Sequence, residues 1–379
     1  MISHSFSRLL ARILLLTASV GLIAGCASGP EKVKPAPLAT NPDLLGVRLA
    51  WTTKFGKVGF PLDVKVNRQS VTIASSDGSI GSIDPLTGRD LWRVNIGSEI
   101  AAGVGGDGRY SAVVTTNNEL VVLDAGQEIW RQSLSAQVFT VPLVAGGRIF
   151  VLTADRVVSA FDVQSGRKLW LQRRPGESLV LRQAGVLSTA GETLVAGLSG
   201  RLVGMDPLNG SIRWESPIAT PRGTNDIERL VDLVGPLSRS GDSFCARAFQ
   251  SAIGCVNTQR GSLIWTKPAS GSVGIGGDEN FIFGVESDGQ LAAWQRGDGE
   301  RVWSTQGLRY RSLTAPLLLG RSVVVGDDSG FVHFLSREDG SLLTRVNTDS
   351  SGVAATPIMA AGALVVVTRS GGIFGFVPE

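Results

Sequence analysis

Three cysteines and two histidines carry most of the reactive chemistry in this 379-residue chain. Cys26 ends the run Ile23-Ala24-Gly25-Cys26. Small residues before a thiol, at the close of an apolar stretch, suit cleavage by a lipoprotein signal peptidase and attachment of a diacylglycerol to the sulfur. Cys245 and Cys255 bracket FCARAFQSAIGC, ten residues apart across a turn near Gln250-Ser251. If they face each other on neighbouring strands with Cα atoms within roughly 7 Å, an oxidising compartment bonds them. A register shift of one residue sends the side chains to opposite faces and leaves two buried free thiols instead.

Catalysis finds little to work with. His4 lies in the leader, and His333 sits in FVHF, the setting of a packed or surface strand residue rather than a base. There is no C-x-x-C-H haem attachment, no H-x-x-x-H pair, no adjacent cysteine pair and no clustered run of carboxylates to suggest a metal site. GVGGDG (103–108) and GIGGDE (274–279) are glycine-rich, but they lie between strands with no helix to receive a phosphate. No catalytic, cofactor or metal site is therefore assigned.

The compartment follows from the first residues. Arg8 and Arg12 flank an apolar run whose core, 13–24, is shorter than the roughly 20 residues a membrane span needs. It fits a secretory signal over residues 1–25. Ala27 and Ser28 follow the cysteine, with no Asp to retain the protein at the inner membrane, so the expected location is the periplasmic face of the outer membrane. Residues 26–43 are Pro-rich and polar, and read as a lipidated Cys26 with a flexible tether; the folded body is expected over 44–379. Cleavage removes two of the 36 basic residues and none of the 33 acidic ones, leaving a net charge of +1. Such a chain has no field to recruit nucleic acid.

The elements that position these residues come from a repeat. IDPLTGRDLW carries Asp84, Gly88 and Trp92 at four-residue steps, as do Asp162–Gly166–Trp170 and Asp206–Gly210–Trp214. Weaker copies are Asn257–Gly261–Trp265, Gln295–Gly299–Trp303 and Ser336–Gly340–Thr344, and Asp124, Gly126 and Trp130 form a shortened one. With Trp51, the motif ends fall at 51, 92, 130, 170, 214, 265, 303 and 344, a period near 40. Between them stand β-rich runs around S-D-G, S-G or D-S-G turns, and no stretch has apolar residues at helical spacing with caps. Each unit is four short strands, a propeller blade. The 43% hydrophobic, 18% charged, 48-glycine composition agrees, since exposed helices would bring more charge. The C-terminal stretch supplies three strands and VRLAWTTKFG one, so both ends together complete an eighth blade and close an all-β, eight-bladed, antiparallel ring.

In each motif the Asp accepts hydrogen bonds from the turn, and the Gly takes a left-handed conformation. The Trp lands on the outermost strand, over the neighbouring blade. One Trp per blade is spread around the ring, which argues against a ligand cage.

D-x-x-x-G-x-x-x-W on eight blades resembles the quinoprotein-like (PQQ-like) propeller family. With the lipid-attachment site, the tether and a single ring, the chain resembles the lipoprotein subunits of the outer-membrane β-barrel assembly machine across its whole mature length. The resemblance implies a non-catalytic scaffold without a cofactor and a BamA-type assembly barrel as partner; the ring either holds that partner's periplasmic domains or also presents strand edges to unfolded barrel clients by β-augmentation, and the sequence does not separate the two. Leu179-Val180-Leu181-Arg182 resembles that family's L-x-L-R segment, and 226–232 its E-I-x-R-L-x-D loop. By match, Leu179, Leu181, Arg182, Arg229 and Asp232 are the expected contact residues; a second acid of the pattern is Val234 here, which leaves one polar contact in doubt. The 51-residue interval from Trp214 to Trp265 holds the second loop, and surplus residues in a repeat go to surface loops that carry binding. The bland alternatives are a solvated insertion, and strand-core positions for Leu179 and Leu181. The rival function is a quinone-binding periplasmic enzyme or sensor, although dehydrogenases on this ring are larger and need a calcium ligand set and a base.

Overall fold

The structure is a computed structural model that describes residues 33–379 except 68, 175–178, 222–223 and 226–228. The signal segment 1–25 and Cys26 lie outside the described residues. Val33–Pro35 are exposed and belong to a separate unit; the compact unit runs from Ala36 to Glu379.

Among the described residues, thirty-two strands form eight four-stranded antiparallel sheets. Blades 1 to 7 span residues 65–95, 100–133, 143–173, 187–217, 233–268, 275–305 and 317–347. Blade 8 joins residues 358–378 to the N-terminal strand Val47–Lys54. Middle strands are buried on both faces, as in Tyr110–Thr115 (YSAVVT), because blades cover them from both sides. Outermost strands alternate with solvent, as in Asp90–Asn95. The core therefore lies between blades, for example where Phe150 and Val158 of blade 3 meet Leu194 and Val203 of blade 4.

The recurring Trp is the joint between blades. Its indole lies on the motif glycine of the following blade: Trp51 on Gly88, Trp130 on Gly166, Trp303 on Gly340. At Gly88, φ is +69° and an added Cβ would stand 2.3 Å from Trp51, so both backbone and neighbour demand glycine. Five indoles also donate Nε1–H to a carbonyl of the next turn: Trp51 to Pro85 (2.9 Å), Trp130 to Val163 (2.8 Å), Trp170 to Pro207 (3.0 Å), Trp265 to Arg296 (2.7 Å) and Trp303 to Arg337 (2.9 Å). The motif acid shapes the turn that receives the indole. Asp84 Oδ1 accepts from Leu86 N–H at 2.7 Å, and Gly88 N–H donates to the Asp84 carbonyl at 2.8 Å.

Closure has its own device. Val47–Lys54 pairs with Gly372–Pro378, with Trp51 opposite Gly375. The unit preceding this seam ends in Thr344 where the repeat would place Trp. Thr344 Oγ1 donates to Asp43 Oδ1 at 3.1 Å, and Leu44 N–H to the Leu343 carbonyl at 2.8 Å. Residues 36–43, expected as tether, instead form a strap along blade 7. Ala36 N–H donates to the Arg309 carbonyl, Arg345 to the Ala39 carbonyl, Asn41 to the Arg345 carbonyl, and Leu38 enters the blade 6–7 core. Pro-rich sequence hides this strap, because it is held by blade 7 and the link before it and carries no strand pattern of its own.

The glycine-rich runs lie within innermost strands, Ile100–Gly106 and Ile275–Gly277, rather than between strands. A Cβ at Gly105 or Gly276 would stand 2.0 or 2.3 Å from the Pro142 or Pro316 carbonyl oxygen of the next blade. These glycines let blades converge at the ring axis, around a central channel of about 960 Å³ lined by Pro142, Pro236, Pro316 and Pro357.

Since the strands run up and down, turns between second and third strands share one face with the links between blades; this is the link face. The motif turns and the turns between first and second strands share the opposite, motif face.

Candidate docking site

Both loops singled out in the sequence are links, one joining blades 3 and 4 and the other blades 4 and 5, so the topology brings them to the link face. A charge clip holds them together. Arg156 sits at the tip of the blade 3 turn Thr153–Val157, with φ +59° and 6% exposure. Its Nη1–H donates to Asp232 Oδ1 at 3.1 Å and its Nη2–H to the Leu179 carbonyl at 3.0 Å. Asp232 Oδ2 then accepts Leu181 N–H at 3.0 Å. One guanidinium and one carboxylate, 76 positions apart in sequence, thus pin the 179–182 loop to the end of the 229–232 loop.

The five expected contact residues separate into two kinds. Leu179 is 39% exposed, Arg182 is exposed and Leu181 is half-buried over a cavity of about 50 Å³. Arg229 is half-buried, and its N–H donates to the Asn225 carbonyl at 3.1 Å. Asp232 differs, because both carboxylate oxygens are engaged inside the protein and its side chain is 16% exposed. It shapes the surface that Leu179 and Arg182 present. Positions 226–228 of the second loop lie outside the described residues. Arg156 was missed by the sequence reading; TADRV looks like an ordinary hairpin tip, and its partner is remote along the chain.

Two further buried clips stiffen the same face. Arg247, fully buried, lies 3.4 Å from Glu286 Oε1, while Glu286 Oε2 accepts the Ser270 hydroxyl at 2.7 Å. A Cβ at Gly271 would stand 1.7 Å from Arg247 Nη1, so that glycine makes the space. Asp327 Oδ2 accepts from Arg311 Nη1 at 3.1 Å and faces His333 Nε2 at 3.0 Å. Burial holds the His333 pKa below its ordinary value, so the ring is neutral and donates Nε2–H to Asp327. Burial also pushes the Asp327 carboxyl up, but hydrogen bonds from His333 and the Phe331 and Ser329 amides outweigh it and hold the group below the usual carboxylate range. Arg311 also donates to the Ala36 carbonyl at 3.2 Å, so this clip grips the strap. His333 is thus a packed strand residue with a structural partner.

Cys245 and Cys255 stand opposite each other on the second and third strands of blade 5 and are joined, with Cα atoms 4.0 Å apart. The bond is wholly buried, and Arg296 Nη1 lies 3.1 Å from Cys245 Sγ.

With this geometry in view, comparison with known proteins decides the family. The family model described as "Outer membrane protein assembly factor BamB" matches residues 76–305. A curated protein of that name from Burkholderia pseudomallei is 36% identical over 96% of this chain and 96% of its own length. The chain belongs to the BamB family. The crystal structure of BamB from Moraxella catarrhalis shares the fold with a TM-score of 0.80 at 21% identity, covering 87% of this chain and 99% of that one. Quinohemoprotein alcohol dehydrogenase from Comamonas testosteroni shares the ring at a TM-score of 0.67 and 13% identity, over 91% of this chain and 79% of that one. That likeness concerns architecture alone.

Proposed function

We propose that this chain is a non-catalytic scaffold of outer-membrane protein assembly. It is anchored by lipid at Cys26 in the periplasmic leaflet and docks on the periplasmic domains of a BamA-type barrel through residues 179–182 and 229–232. The observation that carries the reading is the Arg156–Asp232 clip, which holds Leu179 and Arg182 outward on an already ordered surface. A preformed surface loses little conformational entropy on binding, so modest contacts suffice. In this role Leu179 and Leu181 supply apolar contact, Arg182 and Arg229 meet acidic groups or carbonyls, and Asp232 acts through the loop it positions.

The test is a pull-down of the BamA-type partner with wild type, Arg182→Glu and Asp232→Ala, each checked for a cooperative melt that shows the ring is still folded. Loss of the partner by both variants is expected. Retention by both at wild-type affinity sinks the docking assignment. Titration with the quinone and calcium, read by absorbance, addresses the rival; tight stoichiometric binding would favour an enzyme or sensor.

A further inference from the structure

Two joints between blades lack the indole bond on the motif face, and one of them borders a groove. Five of the seven motif indoles donate Nε1–H to a carbonyl of the following turn; Trp92 and Trp214 make no such bond among the described residues. Their receiving turns are the two that break the pattern. Trp92 meets the shortened turn of blade 2, where Asp124 pairs with Gln127. Trp214 meets the blade 5 turn, where the ladder runs one pair further, Asn257 opposite Ser262. In blades 1, 3, 4, 6 and 7 the motif glycine N–H closes the turn by bonding back to the carbonyl four residues earlier. The altered blade 5 turn still carries Gly261 against Trp214, but no carbonyl is offered to the indole N–H.

Beside Trp214 a groove of about 720 Å³ runs between the rims of blades 4 and 5. Its volume falls within the roughly 300–1,000 Å³ of ligand sites. Arg213, Arg239 and Arg260 line it, against Glu192 and Asp242. Arg213 is committed to the Glu192 carbonyl, the Thr193 hydroxyl and Asp206. Arg239 gives only Nη1 to the Thr189 carbonyl and lies over the Phe244 ring. Arg260 is exposed, and its guanidinium bonds no described residue. The groove therefore offers two guanidinium forks with spare donors beside the Trp214 indole, with the carboxylates of Glu192 and Asp242 in the same lining. A carboxylate is the acceptor that matches several such donors at once, bidentate on the planar fork.

We propose that this groove is a second docking surface, for an acidic segment of a partner protein, on the face opposite the clipped loops. Guanidinium donors hold the side-chain carboxylates, and Trp214 Nε1–H takes the acceptor its own fold withholds. A ring with such a groove can engage one protein through each face at once.

The indole N–H resonances of the ¹⁵N-labelled protein report directly on this site, with Trp214 assigned by Trp214→Phe. Three probes are titrated: a Glu-Ser repeat octapeptide, its Gln-Ser counterpart, and inorganic phosphate. The Glu peptide is expected to shift the Trp214 resonance saturably, the Gln peptide to leave it in place, and the Arg239→Ala/Arg260→Ala double variant to bind at least ten-fold more weakly. Unshifted indole resonances of the other tryptophans in the double variant show that its ring is intact. A still Trp214 resonance at millimolar Glu peptide, an equal response to the Gln peptide, or undiminished binding by the double variant overturns the proposal. So does phosphate producing the whole effect at equal concentration, which would mark an adventitious ion only. Variants of the link-face loops serve as controls and should bind the peptide normally, which keeps this test independent of the docking assignment.

Discussion

Replacing Arg156 with Ala is expected to weaken partner docking although Arg156 is 6% exposed and has little surface to offer a partner. The change removes the donor to Asp232 Oδ1 and the donor to the Leu179 carbonyl together. Stripping one member from a fully buried ion pair costs about 3–5 kcal/mol. Here the side chains are 8% and 16% exposed, so water reaches the stranded Asp232 and the lower part of that range applies. Much of the loss falls on the 179–182 loop, whose remaining tie among the described residues is Leu181 N–H to Asp232. If about 1.4–2.8 kcal/mol of loop order is lost, the competent fraction falls and the apparent Kd rises roughly ten- to a hundred-fold. Calorimetric titration against the partner's periplasmic domains reads the affinity, and hydrogen exchange at the Leu181 amide reads the loop. The two should move together. Accelerated exchange with wild-type affinity would refute the idea that docking depends on loop order, and unchanged exchange would refute the clip itself. Arg156→Lys should fall between, since an ammonium cannot reproduce the planar two-acceptor fork.

Other perturbations follow from the same structure. Deleting residues 44–55 removes the outer strand of blade 8 and the buried Trp51, so cooperative thermal unfolding should be lost; an unchanged calorimetric transition would count against the seam. Converting Cys245 and Cys255 together to Ala frees a loop of about ten residues, which by the loop-closure relation costs about 3 kcal/mol, read as a lowered urea midpoint. His333 binds protons more readily unfolded than folded, so its contribution is complete above its ordinary pKa of 6.5 and is lost as pH falls from there towards its depressed folded value. The slope should not exceed about 1.4 kcal/mol per pH unit for this one group. It should vanish from urea melts of His333→Gln, with Asp327, Arg311 and Arg345 still surrounding the site.

The ring was legible because each blade repeats one sentence of the sequence. Trp spacing marks outer strands, and Gly four residues earlier marks the turn that the preceding indole covers. Thr344 broke the spelling but kept the spacing, and the seam explains it: the strap acid Asp43 occupies the place of a regular turn. The strap itself was not legible, since its partners Arg309, Arg311 and Arg345 lie some 270 to 310 positions away. The glycine runs at 103–108 and 274–279 were misplaced for a related reason. They serve contact with the next blade at the ring axis, a constraint that strand alternation does not express. At the candidate docking site the sequence supplied both loops, but Asp232 turned out to face inward. A carboxylate in a motif reads the same whether it meets a partner or an arginine in a neighbouring blade.

Departures from the repeat concentrate around blade 5. The longest interval precedes its motif Trp, its motif acid is Asn257, its middle strands carry the disulfide, and buried Arg247 leaves it to reach Glu286 of blade 6. A repeat protein gains stability from identical joints, because each Trp on a glycine secures two blades. Every departure weakens a joint unless something else secures it. On the link face that something is charge, since Arg156–Asp232 and Arg247–Glu286 bridge the links flanking blades 4 and 5. Inside the blade it is the covalent bond between Cys245 and Cys255. On the motif face the joints at Trp92 and Trp214 have no such substitute, and beside Trp214 the groove opens. The compensated departures build a rigid surface for docking. The uncompensated joint at Trp214 leaves guanidinium donors without acceptors beside it, and that is the physical ground for expecting a second partner at blade 5.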